Sequence, residues 1–366
     1  MLGVKKRTLL IGVVLQVVAL TLISSTASAA PLPNASSSTN SGSNITTSPV
    51  STTLSANPGS TVSTTLQLQN NGAKPVNISV KLQEFKANGT DGSAQIYIPP
   101  PGDVTTSWVH FSQTSFVAQP GVWNQVTMTI NVPPTAGLGY YYAVLFMPGS
   151  SGSNASTTPI EKVKGANAIL VLLNVHSGKE QNSLSVVSFT SSKSFYQYLP
   201  ASFSINIRNN GNIFTSPRGD VFISRSPNGS TIDTLDINPG GGNILPQTNR
   251  VFKVQWTNGF PVYQYKRING QIVSDKKAVP IQQLQWDFTK VPKLRYGKYY
   301  AKLVVVYNNG IRDVTVNSVV SFWVVPWLLI FIFIAVAAFV ILGVWTLVRS
   351  IIKKTKKLGR PKKSEN

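Results

Sequence analysis

Apolar residues recur at every second position along most of the chain. Val62, Leu66 and Leu68 alternate with polar residues before Asn70-Asn71-Gly72, and Val76, Ile78, Val80 and Leu82 do so after it. A spacing of two puts one set of side chains on one face of an extended strand, and Asn-Gly accepts the positive φ of a tight turn. The pattern predicts antiparallel strands with one buried face. Further runs at 108–111, 126–132, 140–146 and 169–175 are divided by Pro120-Gly121, Pro133-Pro134 and Pro148-Gly149, with a Ser/Gly-rich loop at 150–158. A second series at 184–190, 201–208, 219–225, 231–237, 250–256, 298–307 and 314–322 supplies the seven strands of an immunoglobulin-like sandwich. The expected fold class is an all-β ectodomain of two tandem immunoglobulin-like antiparallel β-sandwiches, residues 49–180 and 181–325, followed by one C-terminal transmembrane α-helix.

The two halves share a device. Leu66-x-Leu68-x-Asn70-Asn71-Gly72 is echoed 139 residues later by Ile205-x-Ile207-x-Asn209-Asn210-Gly211. The echo suits tandem related sandwiches, and it equally suits the general preference of strand turns for Asn-Gly.

At residue 326 the alternation gives way to a continuous apolar run. Residues 327–348 are 22 positions without a charge. A helix of that length spans about 33 Å at 1.5 Å per residue, enough for a hydrocarbon core of about 30 Å. Trp327 and Trp345 sit near its ends, where amphipathic rings favour the headgroup level, and Pro326 stands at the first turn. Arg349, Lys353 and Lys354 then open a basic tail, 349–366, which the positive-inside rule places in the cytoplasm. The opposite end agrees: Lys5, Lys6 and Arg7, the apolar run 9–23 and Ala27-Ser28-Ala29 read as a signal peptide, 1–29, cleaved after Ala29. A Ser/Thr-rich leader, 30–48, has little to bury and is expected to be flexible. The second sandwich reaches Pro326 with no linker, so it should stand on the membrane and carry the first beyond it. The expected location is the cell membrane, single-pass, with the ectodomain outside.

Composition narrows the chemistry. The chain has no cysteine, so burial alone must stabilise an exterior domain, as suits a bacterial surface protein. Formal net charge is +21. The signal peptide holds three basic residues and the tail eight with one acid, which leaves 22 basic and 11 acidic residues between them. Residues 50–150 carry three of each sign, so the second half holds the whole excess. The two histidines, His110 and His176, give no basis for a metal site, and no cofactor motif occurs. Asp233 and Asp236 are the close acid pair, and their spacing in a strand puts them on opposite faces. No catalytic residue is nominated.

The segment 258–298 is the most informative. It carries eight basic residues against Asp275 and Asp287, interleaved with six aromatics. Basic and aromatic residues together suit acidic polymers or lipid headgroups, which nominates Lys266, Arg267, Lys276, Lys277, Lys293, Arg295, Tyr263, Tyr265 and Trp286 for binding. The competing reading is that the aromatics cover the end of the sandwich and the lysines form a solvated rim. Trp327, Trp345, Arg349, Lys353 and Lys354 are the expected membrane anchors.

Pro58-Gly59-Ser60, the run from Leu66 to Gly72, Asp91-Gly92, Pro120-Gly121 and Val132-Pro133 with Gly139-Tyr140-Tyr141 make the first half similar to the N-terminal domain of bacterial WxL-interacting proteins. The resemblance covers roughly residues 50–180 in motif and the rest in layout: signal peptide, two immunoglobulin-like domains, one helix, lysine-rich tail. It implies peptidoglycan binding by the first domain and binding of a host or partner protein by the second. The second half departs from that pattern at Asn209-Asn210-Gly211-Asn212 and Pro217-Arg218-Gly219 and more resembles membrane proteins of small-genome bacteria with the same first domain. No binding residues carry across.

These readings converge on a membrane-anchored, non-enzymatic surface protein. Its expected partners are membrane lipid, peptidoglycan or an acidic wall polymer, or a surface protein; nucleic acid is not expected. An enzyme or enzyme subunit acting on wall glycan, marked by acids clustered in one cleft, and a passive spacer are the alternatives.

Overall fold

The computed structural model describes residues 44–149, 167–275 and 277–358. The signal peptide, most of the leader, the 150–158 loop, Lys276 and residues 359–366 lie outside them.

The first half builds β1 (Ile45–Ser48), β2 (Ser51–Ala56), β3 (Thr61–Asn70), β4 (Val76–Asn88), β5 (Ser93–Tyr97), β6 (Val109–Phe111), β7 (Ser115–Ala118), β8 (Trp123–Asn131), β9 (Leu138–Pro148) and β10 (Asn167–Val175). One sheet runs β1-β3-β8-β6 and the other β2-β10-β9-β4-β5, with β7 also on β4. The alternating residues meet between them: Leu66, Leu68, Val126, Met128 and Ile130 from one sheet pack on Ile78, Tyr142, Val144 and Phe146 from the other. The leader's expected boundary is corrected, because β1 already pairs Ile45 with Asn70 and packs Ile45 on this core. An apolar side chain beside the open edge of β3 is enough to order the end of a polar run.

The second half builds β11 (Leu184–Ser191), β12 (Phe195–Tyr196), β13 (Ala201–Asn209), β14 (Arg218–Ser224), β15 (Thr231–Asp236), β16 (Asn249–Trp256), β17 (Val262–Tyr265), β18 (Arg267–Ile268), β19 (Gln271–Ile272), β20 (Gln282–Gln285), β21 (Gly297–Asn308) and β22 (Asp313–Val324). Its sheets run β11-β13-β16 and β12-β22-β21-β14-β15. Apart from β6 and β7, which have no counterpart, this order repeats that of the first half. The repeat includes the parallel pairing of β12 with β22, which matches that of β2 with β10. Trp256, Tyr299, Phe203 and Phe322 fill a separate core, with the Trp256 and Tyr299 rings 4.9 Å apart.

The sequence echo marks equivalent points of this repeat. The Asn70 amide donates to the carbonyls of Lys74 (2.8 Å) and Ala118 (3.0 Å) and accepts from Gly72 N–H (2.8 Å). The Asn209 amide donates to Ile213 (2.7 Å) and Ile244 (2.9 Å) and accepts from Gly211 N–H (2.8 Å). Their neighbours match too: Asn71 reaches Thr46 Oγ1 at 2.7 Å, and Asn210 reaches Ser185 Oγ at 2.9 Å.

A third apolar cluster joins the halves. Phe85, Ala143 and Leu172, on the outer face of the first half's larger sheet, are buried with Tyr141, Phe214 and Leu245. The Tyr141 and Phe214 rings meet edge to face at 6.3 Å, and Val251 N–H donates to the Thr90 carbonyl at 2.6 Å.

β22 passes into helix α1 (Trp327–Leu358) without a linker, since Val325 N–H still bonds the Tyr196 carbonyl at 2.7 Å. Within α1, residues 327–352 are long and apolar enough to cross a membrane, and this stretch is unburied by the rest of the chain. The helix outlasts its expected end at Val348, because the Lys-rich continuation to Leu358 favours a helix.

Candidate functional site

The segment between β16 and β21 leaves and re-enters the second sandwich at the end from which α1 departs, because Gly297 pairs with Val324. It folds into a small module instead of a loop. β17 pairs with β20 and β18 with β19. The inner hairpin turns at Asn269-Gly270, both at positive φ, as an Asn-Gly hairpin requires. Arg267 Nη1 donates to the Gly270 carbonyl at 3.0 Å and holds the turn.

The β17–β20 hairpin stands beside the outer face of the smaller sheet, and the two enclose an open groove of about 360 Å³. Tyr263, Gln264, Tyr265 and Arg267 line one side, Gln282, Gln283 and Gln285 the next, and Pro200, Gln255 and Thr257 the sheet side. Among the described residues, none of these five glutamine amides hydrogen-bonds within the protein. Each amide offers two donors and an acceptor, and the two phenol rings add apolar faces. This combination suits an anionic, polyhydroxylated ligand, with Arg267 as the positive pole.

Beneath the groove, Tyr263 lies 6.2 Å from Tyr198, which lies 6.2 Å from Trp286. Trp286 also meets Phe260 (5.8 Å) and Phe288 (6.3 Å). A 3-10 turn, Phe288–Lys293, follows, capped by Asp287, whose carboxylate accepts from Thr289 Oγ1 (2.6 Å) and pairs with Lys290 (3.0 Å). The Thr289 hydroxyl first, then Lys290, holds the Asp287 carboxyl below its ordinary value.

The nominated residues therefore do not form one patch. Tyr263, Tyr265 and Arg267 share the groove. Lys266 points outward from the hairpin and Lys277 from the turn whose backbone bonds Asp275. Trp286 braces the aromatic cluster, and Lys293 ends the 3-10 turn. Arg295 is structural: its Nε donates to the Asn258 carbonyl at 2.9 Å and its guanidinium lies 5.5 Å over Trp256. Lys276 falls outside the described residues. In α1, Trp327 packs on Phe331 and Trp345 under Arg349, while Lys353 and Lys354 continue the helix. The glutamines were missed. The signal was present in Tyr263-Gln264-Tyr265 and Gln282-Gln283-x-Gln285, two strand-length runs whose amides recur on both partners of a hairpin.

Asp233 accepts from Trp256 Nε1 at 2.9 Å. Two acids do meet, on the first half. Glu84 and Asp103 both lie within reach of Thr105 Oγ1, at 2.5 and 2.6 Å, and Glu84 also accepts from Tyr97. Burial, then Glu84, pushes the Tyr97 phenol up to about 12. Among the described residues, no three His, Cys, Asp or Glu gather as a metal site would need.

No protein-family model matches the chain, and no curated protein does. Solved structures are similar at low levels. The class 5 fimbriae chaperone CfaA has a TM-score of 0.35 at 15% identity, covering 75% of this chain and 99% of its own. The YadV chaperone has a TM-score of 0.30 at 12% identity, covering 76% and 100%. The Pseudomonas aeruginosa CupB2 chaperone has a TM-score of 0.30 at 8% identity, covering 74% and 98%.

Proposed function

We propose that the protein is a single-pass surface protein of a bacterial membrane, with two tandem immunoglobulin-like sandwiches outside and a basic cytoplasmic tail, and that it binds an acidic, polyhydroxylated wall polymer. The groove beside β17 and β20 carries this reading. Unengaged amides meet hydroxyls, tyrosine faces meet the apolar faces of sugar rings, and Arg267 with nearby Lys266 meets anionic groups. The repeated strand order supports the tandem sandwiches, and the charge bias around α1 supports the orientation.

The test is binding of the full chain, held in detergent, to a purified teichoic-type polymer and to a neutral glucan. Wild type should retain the acidic polymer, less so at high salt. The double variant Tyr265→Ala with Arg267→Ala should weaken binding by at least about tenfold, roughly 1.4 kcal/mol, while its melting temperature stays put because both side chains are exposed. Binding unchanged in the variant removes the groove as the site. Retention of surface proteins in place of either glycan makes a protein the partner.

A further inference from the structure

Seven aromatic side chains are strongly exposed in the described residues before α1. Trp123 belongs to the first sandwich and Tyr265 to the groove. The other five gather at one end of the second sandwich. Phe195 (65% exposed) pairs with Trp323 (41%) on adjacent strands, and Trp286 (40%), Phe288 (71%) and Tyr296 (61%) come from the module between β16 and β21. This is the end where β22 becomes α1. β22 ends at Val324 and the helix starts at Trp327, so two residues separate sheet from helix. Two residues span at most about 7 Å, and each headgroup layer is about 5 to 7 Å deep.

Charge fits the same surface. Lys293 and Lys298 are exposed among these rings, Arg225 lies 5.2 Å over Tyr296, and Asp287 is paired with Lys290 at 3.0 Å. Rings with a polar edge beside Lys and Arg are what the interface of an anionic leaflet accepts. At the opposite end of the β21–β22 hairpin, exposed Ile311 stands among Asn308, Asn309 and Gly310, and the nearby Tyr307 packs against the core.

We infer that this end of the second sandwich rests in the headgroup layer of the bilayer that α1 enters, with Phe288, Trp286 and Trp323 inserted as an aromatic collar around the helix. The inference depends on α1 being a membrane anchor. It is separate from the groove and adds a lipid surface as a second ligand. Its consequence is that the groove is held at a fixed height and orientation, facing along the membrane.

The chain has no cysteine, so single labels report single places. The full chain is reconstituted in nanodiscs of phosphatidylcholine and phosphatidylglycerol in equal parts, with a fluorescent label on Phe288→Cys, Ile311→Cys or Val340→Cys. The Phe288 label should be quenched by nitroxide carried on lipid headgroups and shielded from aqueous iodide. The Ile311 label should show the reverse, and the Val340 label should respond to nitroxide deep in the acyl chains. A Phe288 label as open to iodide as the Ile311 label, with Val340 deep, overturns the collar and leaves the anchor standing. A Val340 label open to iodide overturns the anchor, and with it the collar.

Discussion

Asn70 and Asn209, 1% and 0% exposed, each satisfy two carbonyls, one of them in a buried bond, and one glycine N–H with a single amide. Truncation would leave the Ala118 and Ile244 carbonyls without that buried partner. Asn70→Ala and Asn209→Ala should each cost about 2 to 3 kcal/mol of stability, measured by urea unfolding of the full chain in detergent. Asn71→Ala removes only an exposed bond to Thr46 and should stay within about 0.5 kcal/mol. Equal losses for Asn70 and Asn71 would show that the turn, not the buried amide, matters. The sequence displayed this pair as an echo but could not weigh it, because Asn-Gly serves any hairpin. What separates the readings is burial and the reach of each amide to Ala118 or Ile244, 48 and 35 residues away. Such long-range partners leave no local trace.

At the scale of elements, the long alternating strands and α1 were legible because each carries its period over many residues. The module between β16 and β21 was not. Its strands run two to four residues, its side chains are mostly exposed on both faces, and neither period applies. Basic and aromatic content located the segment, while only the pairing of β17 with β20 showed that Tyr263, Tyr265 and Arg267 share a groove and that Arg295 does not. The turn Phe288–Lys293 offers a pH test. Its cap, Asp287, has a folded carboxyl below the ordinary 3.8, so its stabilisation is present above that value and is lost as pH falls through the folded one. Hydrogen exchange of backbone amides in 288–293, corrected for intrinsic rate, should therefore accelerate on acidification below about pH 4. Asp287→Ala, which has no side-chain acceptor, should exchange fast at both neutral and acid pH. Exchange in wild type that ignores this pH range would remove Asp287 as the cap that orders the turn.

For the whole molecule, two separate cores lead one to expect two independently melting bodies, yet β9 and β10 argue otherwise. Their central residues are buried on both faces: Ala143 and Leu145 as well as Val144, and Leu172 as well as Val171 and Leu173. The continuous apolar runs at 143–146 and 169–173 carried this signal, since a strand with one wet face would alternate. The second face is covered by Phe85, Phe214 and Leu245, and beside it Arg250 bonds the Asn243 carbonyl at 2.8 Å while lying against Gly92 of the first half. Gly92 sits at a φ of +85°, which favours glycine in the turn of the β4–β5 hairpin, and a side chain there would also displace that guanidinium. Coupling through this cluster should make the full chain unfold in one calorimetric transition. Phe85→Asp places a charge at a site 5% exposed, which the dry junction tolerates only by opening. Opening the junction leaves both inner cores intact, because Phe85 belongs to neither. The variant should therefore melt in two transitions, with the helix signal of α1 unchanged and β structure retained at low temperature. A wild type that already melts in two steps would show that the halves are joined by chain alone. A variant that keeps a single transition at lower temperature would place the coupling in the backbone bond between Thr90 and Val251 and in Arg250, not in the apolar cluster.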